Sequence, residues 1–242
     1  MTSTVLLDNV AHKDLRVRTG FSAKFGDSIN CCPVFPTEFV YVQREYPILF
    51  RRDANGDLQA MALLGFEKEE NLFLNDTGWD ARYVPAMQQR GPFLIGLRKN
   101  ADDGTPQEPM VHVDLDHPRI SHTEGEALFL PHGGNSPYLE HTSRILQMIY
   151  NGTAHIRPMF AAFEEAGLIE PIEMDVELDR TTKVKLPGFL SISQDRIAGL
   201  DSTILQRLNQ AGYLQLAILA VASLGNISWL IQLKNRKRAA GA

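Results

Sequence analysis

Six of the seven histidines fall between positions 112 and 155: His112, His117, His122, His132, His141 and His155. Residue types of this kind could hold a metal. In His112-Val113-Asp114 an imidazole and a carboxylate share one strand face, because side chains alternate with period two. Joined by a distal His155, they would make the two-histidine, one-carboxylate triad of a non-haem iron oxygenase. Fe(II) with 2-oxoglutarate would then be the cofactor set, and Arg157 would meet the cosubstrate's carboxylate. That chemistry asks for the distal histidine on a strand, whereas the spacing around His155 predicts a helix ahead of Pro158. The preferred reading is therefore solvated polar histidines with no metal or other cofactor, and the iron site is kept as the alternative. His117, His122 and His132 stand five and ten residues apart, which is no zinc spacing.

Glu124 and Glu126 flank Gly125 and could work as an acid–base pair, although glutamates on one strand face more often mark a solvated edge. The chain carries no P-loop, dinucleotide glycine pattern or G-x-S-x-G elbow. The adjacent Cys31 and Cys32 make neither a disulfide framework nor a zinc site. They read as two small, partly buried residues before a proline turn. Trp79, Tyr83, Phe93 and Trp229 read first as core and second as a ligand platform. No catalytic residue is assigned.

These residues need a scaffold. The 242 residues are 44% hydrophobic and 22% charged, which is globular composition rather than disordered. A net charge of −5 argues against a general nucleic-acid binder. No secretory apolar region opens the chain, so a cytoplasmic protein is expected. Residues 1–30 look irregular apart from a strand near 15–17, and 31–238 are expected to form a single domain.

Pro36 opens a short helix over 36–45. Apolar runs at 48–52 and 58–64, separated by a turn containing Asn55-Gly56, predict a hairpin. Further strands are expected at 71–75, 83–84, 93–97 and 110–115, with a surface loop over 100–109. Residues 116–137 form a long loop rich in glycine and proline, and such loops are often functional. Ser136-Pro137 starts a long central helix closed by Gly167, with a kink or break expected at Asn151-Gly152 or Pro158. A strict alternation over 172–178 pairs with 181–186 across an Asp179-Arg180 turn, and 189–192 continues the sheet.

Two helices, near 202–210 and 212–236, finish the chain. The second has no charge from 208 to 233 and ends in Lys234, Arg236, Lys237 and Arg238. Polar interruptions argue for a buried core helix with a solvated basic end rather than stable membrane insertion. Strands in hairpins followed by helices predict an α+β fold. It would have a mainly antiparallel sheet, a long central helix, and C-terminal helices packed on it.

Several separated blocks carry a family resemblance. They include Pro36-Thr37-Glu38-Phe39, Leu63-Leu64-Gly65-Phe66, Trp79, Tyr83-Val84-Pro85-Ala86 and Arg90-Gly91-Pro92-Phe93. The blocks continue with 116–129, Ser136-Pro137-Tyr138-Leu139, Leu186-Pro187-Gly188-Phe189 and Leu224-Gly225-Asn226. In this order, over about 30–235, the chain resembles the bacterial SapC family. That family is named for a surface-layer association. Its members tend to be encoded beside flavin-dependent halogenase-like proteins, cupin-like oxygenases and TonB-dependent receptors.

The resemblance implies a non-catalytic accessory protein that handles a peptide, or a partner such as the halogenase-like enzyme, in modification or envelope uptake. The family's pattern has no fixed histidine at the positions of His112, His117 and His122, and it directs attention to Arg119, Thr123, Glu124, Gly125 and Glu126. With Tyr138, Trp79, Tyr83, Arg90 and Asn226 these are the expected binding residues. An oxygenase-like enzyme and an envelope-associated structural protein held by the last helix are the alternatives.

Overall fold

In a computed structural model, residues 3–97, 109–172, 174–177 and 183–241 are described. The strands are β1 (Thr4–Leu6), β2 (Arg16–Val17), β3 (Cys31–Pro33), β4 (Ile48–Arg52), β5 (Leu58–Leu63), β6 (Leu74–Asn75), β7 (Gly78–Trp79), β8 (Phe93–Leu97), β9 (Pro109–Asp114), β10 (Ile120–Ser121), β11 (Glu126–Ala127), β12 (Ile169–Pro171), β13 (Met174–Glu177), β14 (Lys183–Leu186) and β15 (Leu190–Ile192). The α-helices are α1 (Phe39–Val42), α2 (Ala86–Gln89), α3 (Pro137–Glu165), α4 (Gln194–Ala198), α5 (Ser202–Gln210), α6 (Tyr213–Ser223) and α7 (Asn226–Gly241). Every strand pairing among the described residues is antiparallel, so the fold is α+β as its hairpin-first order predicts.

The main sheet has the order β12-β15-β4-β5-β3. Its centre is the β4–β5 hairpin, with Ile48 opposite Ala62 and Phe50 opposite Ala60. Gly56 turns it at φ +86°, a conformation that favours glycine. Consecutive residues of both strands are buried, which requires cover on both faces. Phe160 and Phe163 of α3 supply part of that cover, the Phe160 ring standing edge-on to Phe50 at 4.9 Å. Ala217, Ala220 and Leu230 of the C-terminal helices join the same core.

A second core forms where Leu15, Val17, Phe93, Val113 and Leu128 meet Leu139 and Leu146. The two halves of α3 therefore serve different cores, and this helix is the spine of the molecule. Ser136 caps it by accepting the Leu139 N–H at 3.2 Å, with Pro137 in its first turn.

Several expectations are corrected. The strand expected near 15–17 is β2, and the rest of the first thirty residues, expected to be irregular, adds β1 and packs Val5 and Leu7 against the second core. α3 runs unbroken through Gly152 and Pro158, because packing on both sides of the proline holds it. Residues 83–84 form no strand, and the strand expected at 71–75 shrinks to Leu74–Asn75. There the Asn71 side chain takes the Phe73 N–H and folds the chain into a turn. Cys31 and Cys32 lie in β3, with Cys32 fully buried. The expected last helix divides at Leu224-Gly225, and the short α4 gave no periodic signal. Residues 98–108, 173 and 178–182 lie outside the described residues, and with them the loop expected over 100–109, except Pro109, and the turn expected at Asp179-Arg180.

The basic end is solvated at Arg236, Lys237 and Arg238 but not at Lys234. Lys234 is buried and bonds Glu67 at 2.8 Å and Glu70 at 2.5 Å, while Lys237 donates to the Asn71 and Leu74 carbonyls. Yet the helical stretch Tyr213–Ala240 is long and apolar enough to cross a bilayer, and only 22% of its apolar window is buried. One face packs as a core helix should. The other leaves Ile218 and Trp229 exposed.

Candidate functional site

The short turn at Pro36–Glu38 brings a carboxylate into the interior. Glu38 is fully buried. Its Oε1 accepts the Phe35 N–H at 3.0 Å, and its Oε2 accepts the Ala86 N–H at 2.9 Å and the Tyr83 hydroxyl at 2.7 Å. Three donors answer the penalty of burial, which nonetheless pushes the carboxyl above its ordinary range. The same burial, with Glu38 beside it, drives the Tyr83 hydroxyl far up, so that it stays a neutral donor.

From that anchor Tyr83 projects its ring under Tyr41 of α1, with centroids 5.3 Å apart and planes 25° from parallel. Its carbonyl accepts the Tyr46 hydroxyl at 2.5 Å, and that hydroxyl in turn accepts the Trp79 indole N–H at 2.8 Å. Phe21 meets Trp79 edge-on at 5.5 Å. The stacked tyrosines, Phe21, Arg119, Tyr138 and His141 line a cleft of about 570 Å³. Most of its wall is apolar, with a few polar groups among the lining residues, which is the make-up of a ligand pocket.

The expected binding residues divide. Tyr83, Arg119 and Tyr138 line this cleft. Arg119 is itself buried, and its guanidinium is committed to both oxygens of Asp27, to the Arg18 and Gly20 carbonyls, and to the rings of Phe21 and Phe25. It shapes the cleft wall and presents no spare fork to a ligand.

Thr123, Glu124, Gly125 and Glu126 are exposed and brace the loop onto β2. Glu124 bonds Arg18 at 2.9 Å and Thr123 donates its N–H to Ser121. Glu126 pairs with Val17, and Gly125 sits at φ +94° where a Cβ would strike the Val17 carbonyl. Trp79 lines a separate cleft with Trp229. Asn226 ties α7 to the end of α1 through the Gln43 carbonyl at 2.8 Å. Arg90 lies between two further clefts.

The residues kept for iron do not gather. His112 and Asp114 sit on β9, and His155 sits on α3. Among the described residues no three His, Cys, Asp or Glu side chains come together as a metal site. Arg157, the candidate for the cosubstrate, pairs with Asp57 at 3.0 Å. Cys32 is pushed far up by burial and is held as a thiol. Sequence reasoning missed Glu38, Tyr41 and Tyr46. Glu38 lies inside the block 36–39, but nothing local marks it, Tyr41 or Tyr46 as bonded parts of a site.

No match was found among curated proteins or among solved structures. A family model described as SapC covers residues 7–230 of the 242, and the chain belongs to the SapC family.

Proposed function

We propose that this protein is a cytoplasmic binding component without turnover of its own. Its aromatic cleft holds a segment of a peptide, or of a partner such as a flavin-dependent halogenase-like enzyme, during modification or envelope uptake. One observation carries the reading. The exposed Tyr41 is stacked on a Tyr83 that a buried, triply bonded carboxylate holds in place. A preorganised aromatic platform of this kind gains affinity because little ordering remains to be done on binding. The test is titration of purified halogenase-like partner, and of its peptide substrate, with the native chain and with Tyr41→Ala. Tyr41→Ala is expected to weaken binding about tenfold, the scale of a lost interface aromatic, at unchanged melting temperature. Equal affinity for both proteins sinks the proposal.

A second reading is favoured by the poor burial of Tyr213–Ala240. Here the chain is an envelope-associated structural protein, held by the outward apolar face of its last two helices. Fractionation separates the two: recovery in the soluble fraction without detergent supports the binding component, and recovery only from the membrane pellet supports the second.

A further inference from the structure

β8 is the last strand of its sheet, which has the order β1-β9-β8 among the described residues. The Asp114 N–H donates to the Pro92 carbonyl at 2.9 Å, and Leu94 faces His112 while Ile95 faces Val111. Antiparallel pairs alternate in their bonding, so Phe93 and Ile95 turn their N–H and C=O groups away from β9. At Phe93 this is seen directly, since its N–H meets the Arg90 carbonyl at 3.2 Å and its carbonyl accepts Arg90 Nη1 at 3.1 Å. Beyond Phe93, the outward N–H and C=O of Ile95 are left for another strand.

A groove of about 800 Å³ runs along this edge. Leu94 and Ile95 form one wall, and Leu146, Ile149 and Tyr150 of α3 form the other. The α3 wall from Leu146 to Ala154 is roughly 12 Å long at the helical rise, which accommodates roughly four extended residues. Arg90 stands at the groove's beginning. No carboxylate among the described residues acts on it, and its Nε is a buried donor without a partner. Burial holds its guanidinium below the ordinary value. A half-buried guanidinium lacking a counter-ion is a receptor for an anion.

We propose that the groove between β8 and α3 captures the C-terminal end of an extended peptide, which adds as an antiparallel strand along β8 and places its free carboxylate on Arg90. The antiparallel direction follows from position: Arg90 precedes β8, so a chain ending there must run against it. Main-chain bonds at Ile95 supply affinity, and the apolar walls select an apolar last side chain. This groove is separate from the tyrosine cleft and does not depend on that cleft's function.

The test uses two pools of fluorescein-labelled hexapeptides, randomised at the last three positions. The pools are identical except that one ends in a carboxylate and the other in an amide. Anisotropy titration of the full chain is expected to show the acid pool binding about tenfold more tightly, as loss of a charge-assisted pair implies. The Ile95 amide should gain protection from hydrogen exchange on binding. Arg90→Met should bring the acid pool down to the level of the amide pool. Should Arg90→Met fail to fold, Ile149→Asp in the opposite wall carries the same expectation.

Equal affinity of the two pools, or acid-pool binding that survives both substitutions, overturns the proposal. So does binding of decanoate without any peptide, which would assign the groove to an acyl carboxylate. Tyr41→Ala is expected to leave acid-pool affinity unchanged, so failure here and failure of the tyrosine cleft read separately.

Discussion

Arg119 places Nη2 at 2.9 and 2.8 Å from the two carboxylate oxygens of Asp27, and both side chains are buried. The pair joins the loop that follows β9 to the N-terminal segment, and the rings of Phe21 and Phe25 lie against the guanidinium. A charge this deep is tolerated because Asp27 and the Arg18 and Gly20 carbonyls all accept from it. Its place in the cleft wall therefore depends on Asp27.

Removing Asp27 alone leaves a buried guanidinium without compensation. Asp27→Ala is expected to lose about 3–5 kcal/mol. Arg119→Met in the same background should then lose less than the sum of the two single changes, because the stranded charge goes with it. Urea unfolding of the four proteins at neutral pH reads this coupling, and additive losses would show that the two groups act independently.

Glu38 gives a pH signature. Its folded pKa lies above the ordinary 4.5, so the folded chain holds that proton more tightly than the unfolded one. Stability contributed by this group falls as pH rises from 4.5 through the raised value. Glu38→Gln removes the slope and turns an amide N–H toward a donor, a mismatch of about 1–3 kcal/mol. The native protein should exceed Glu38→Gln in stability most at low pH, with the gap narrowing upward. Denaturant midpoints from about pH 4 to pH 8 check the direction, and a gap that widens with pH contradicts the assignment.

What was legible in the sequence was local. Asn55-Gly56 between apolar runs gave the β4–β5 hairpin, and Ser136-Pro137 gave the start of α3. The unread features join residues far apart. Glu38 finds Tyr83 and Ala86 more than forty residues later, and Asp27 finds Arg119 further still. A buried carboxylate leaves no periodic trace, and its turn looks like any proline-led helix start. The 116–137 segment, expected as one long loop, instead carries β10 and β11 on either side of β2, and its acidic residues face Arg18 and β2 rather than the cleft. Lys234 looked like a helix end in water until the 67–70 carboxylates were placed over it.

That clamp is itself testable. Burial works against the Lys234 charge, yet the bonds to Glu67 and Glu70 hold its pKa above the ordinary 10.5. The stabilisation is fully present below 10.5 and is lost as pH climbs through the raised value. Lys234→Met should lose about 1–3 kcal/mol at neutral pH. The difference should close in strong alkali. Melting temperatures of the two proteins across that range decide it, and a constant difference would leave the ion pair without a stabilising part.

Gly152 offers a prediction whose sign opposes the usual rule. Alanine for glycine inside a helix ordinarily gains roughly 0.5–1 kcal/mol, because the unfolded chain loses freedom. Here a Cβ would stand 2.5 Å from the Phe35 Cβ and 2.6 Å from Thr37 Oγ1. Thr37 is fixed by its bond to the Met148 carbonyl at 3.1 Å, so neither neighbour can yield freely. The extra methyl must push α3 away from the turn that carries Glu38, and overpacking of that kind loses about 1–3 kcal/mol. Gly152→Ala should therefore melt earlier than the native protein. Because that turn holds Tyr83, it should also loosen the tyrosine stack, seen as faster exchange of the Ala86 amide. A raised melting temperature would mean that α3 and the Pro36–Glu38 turn do not approach as closely as the glycine allows.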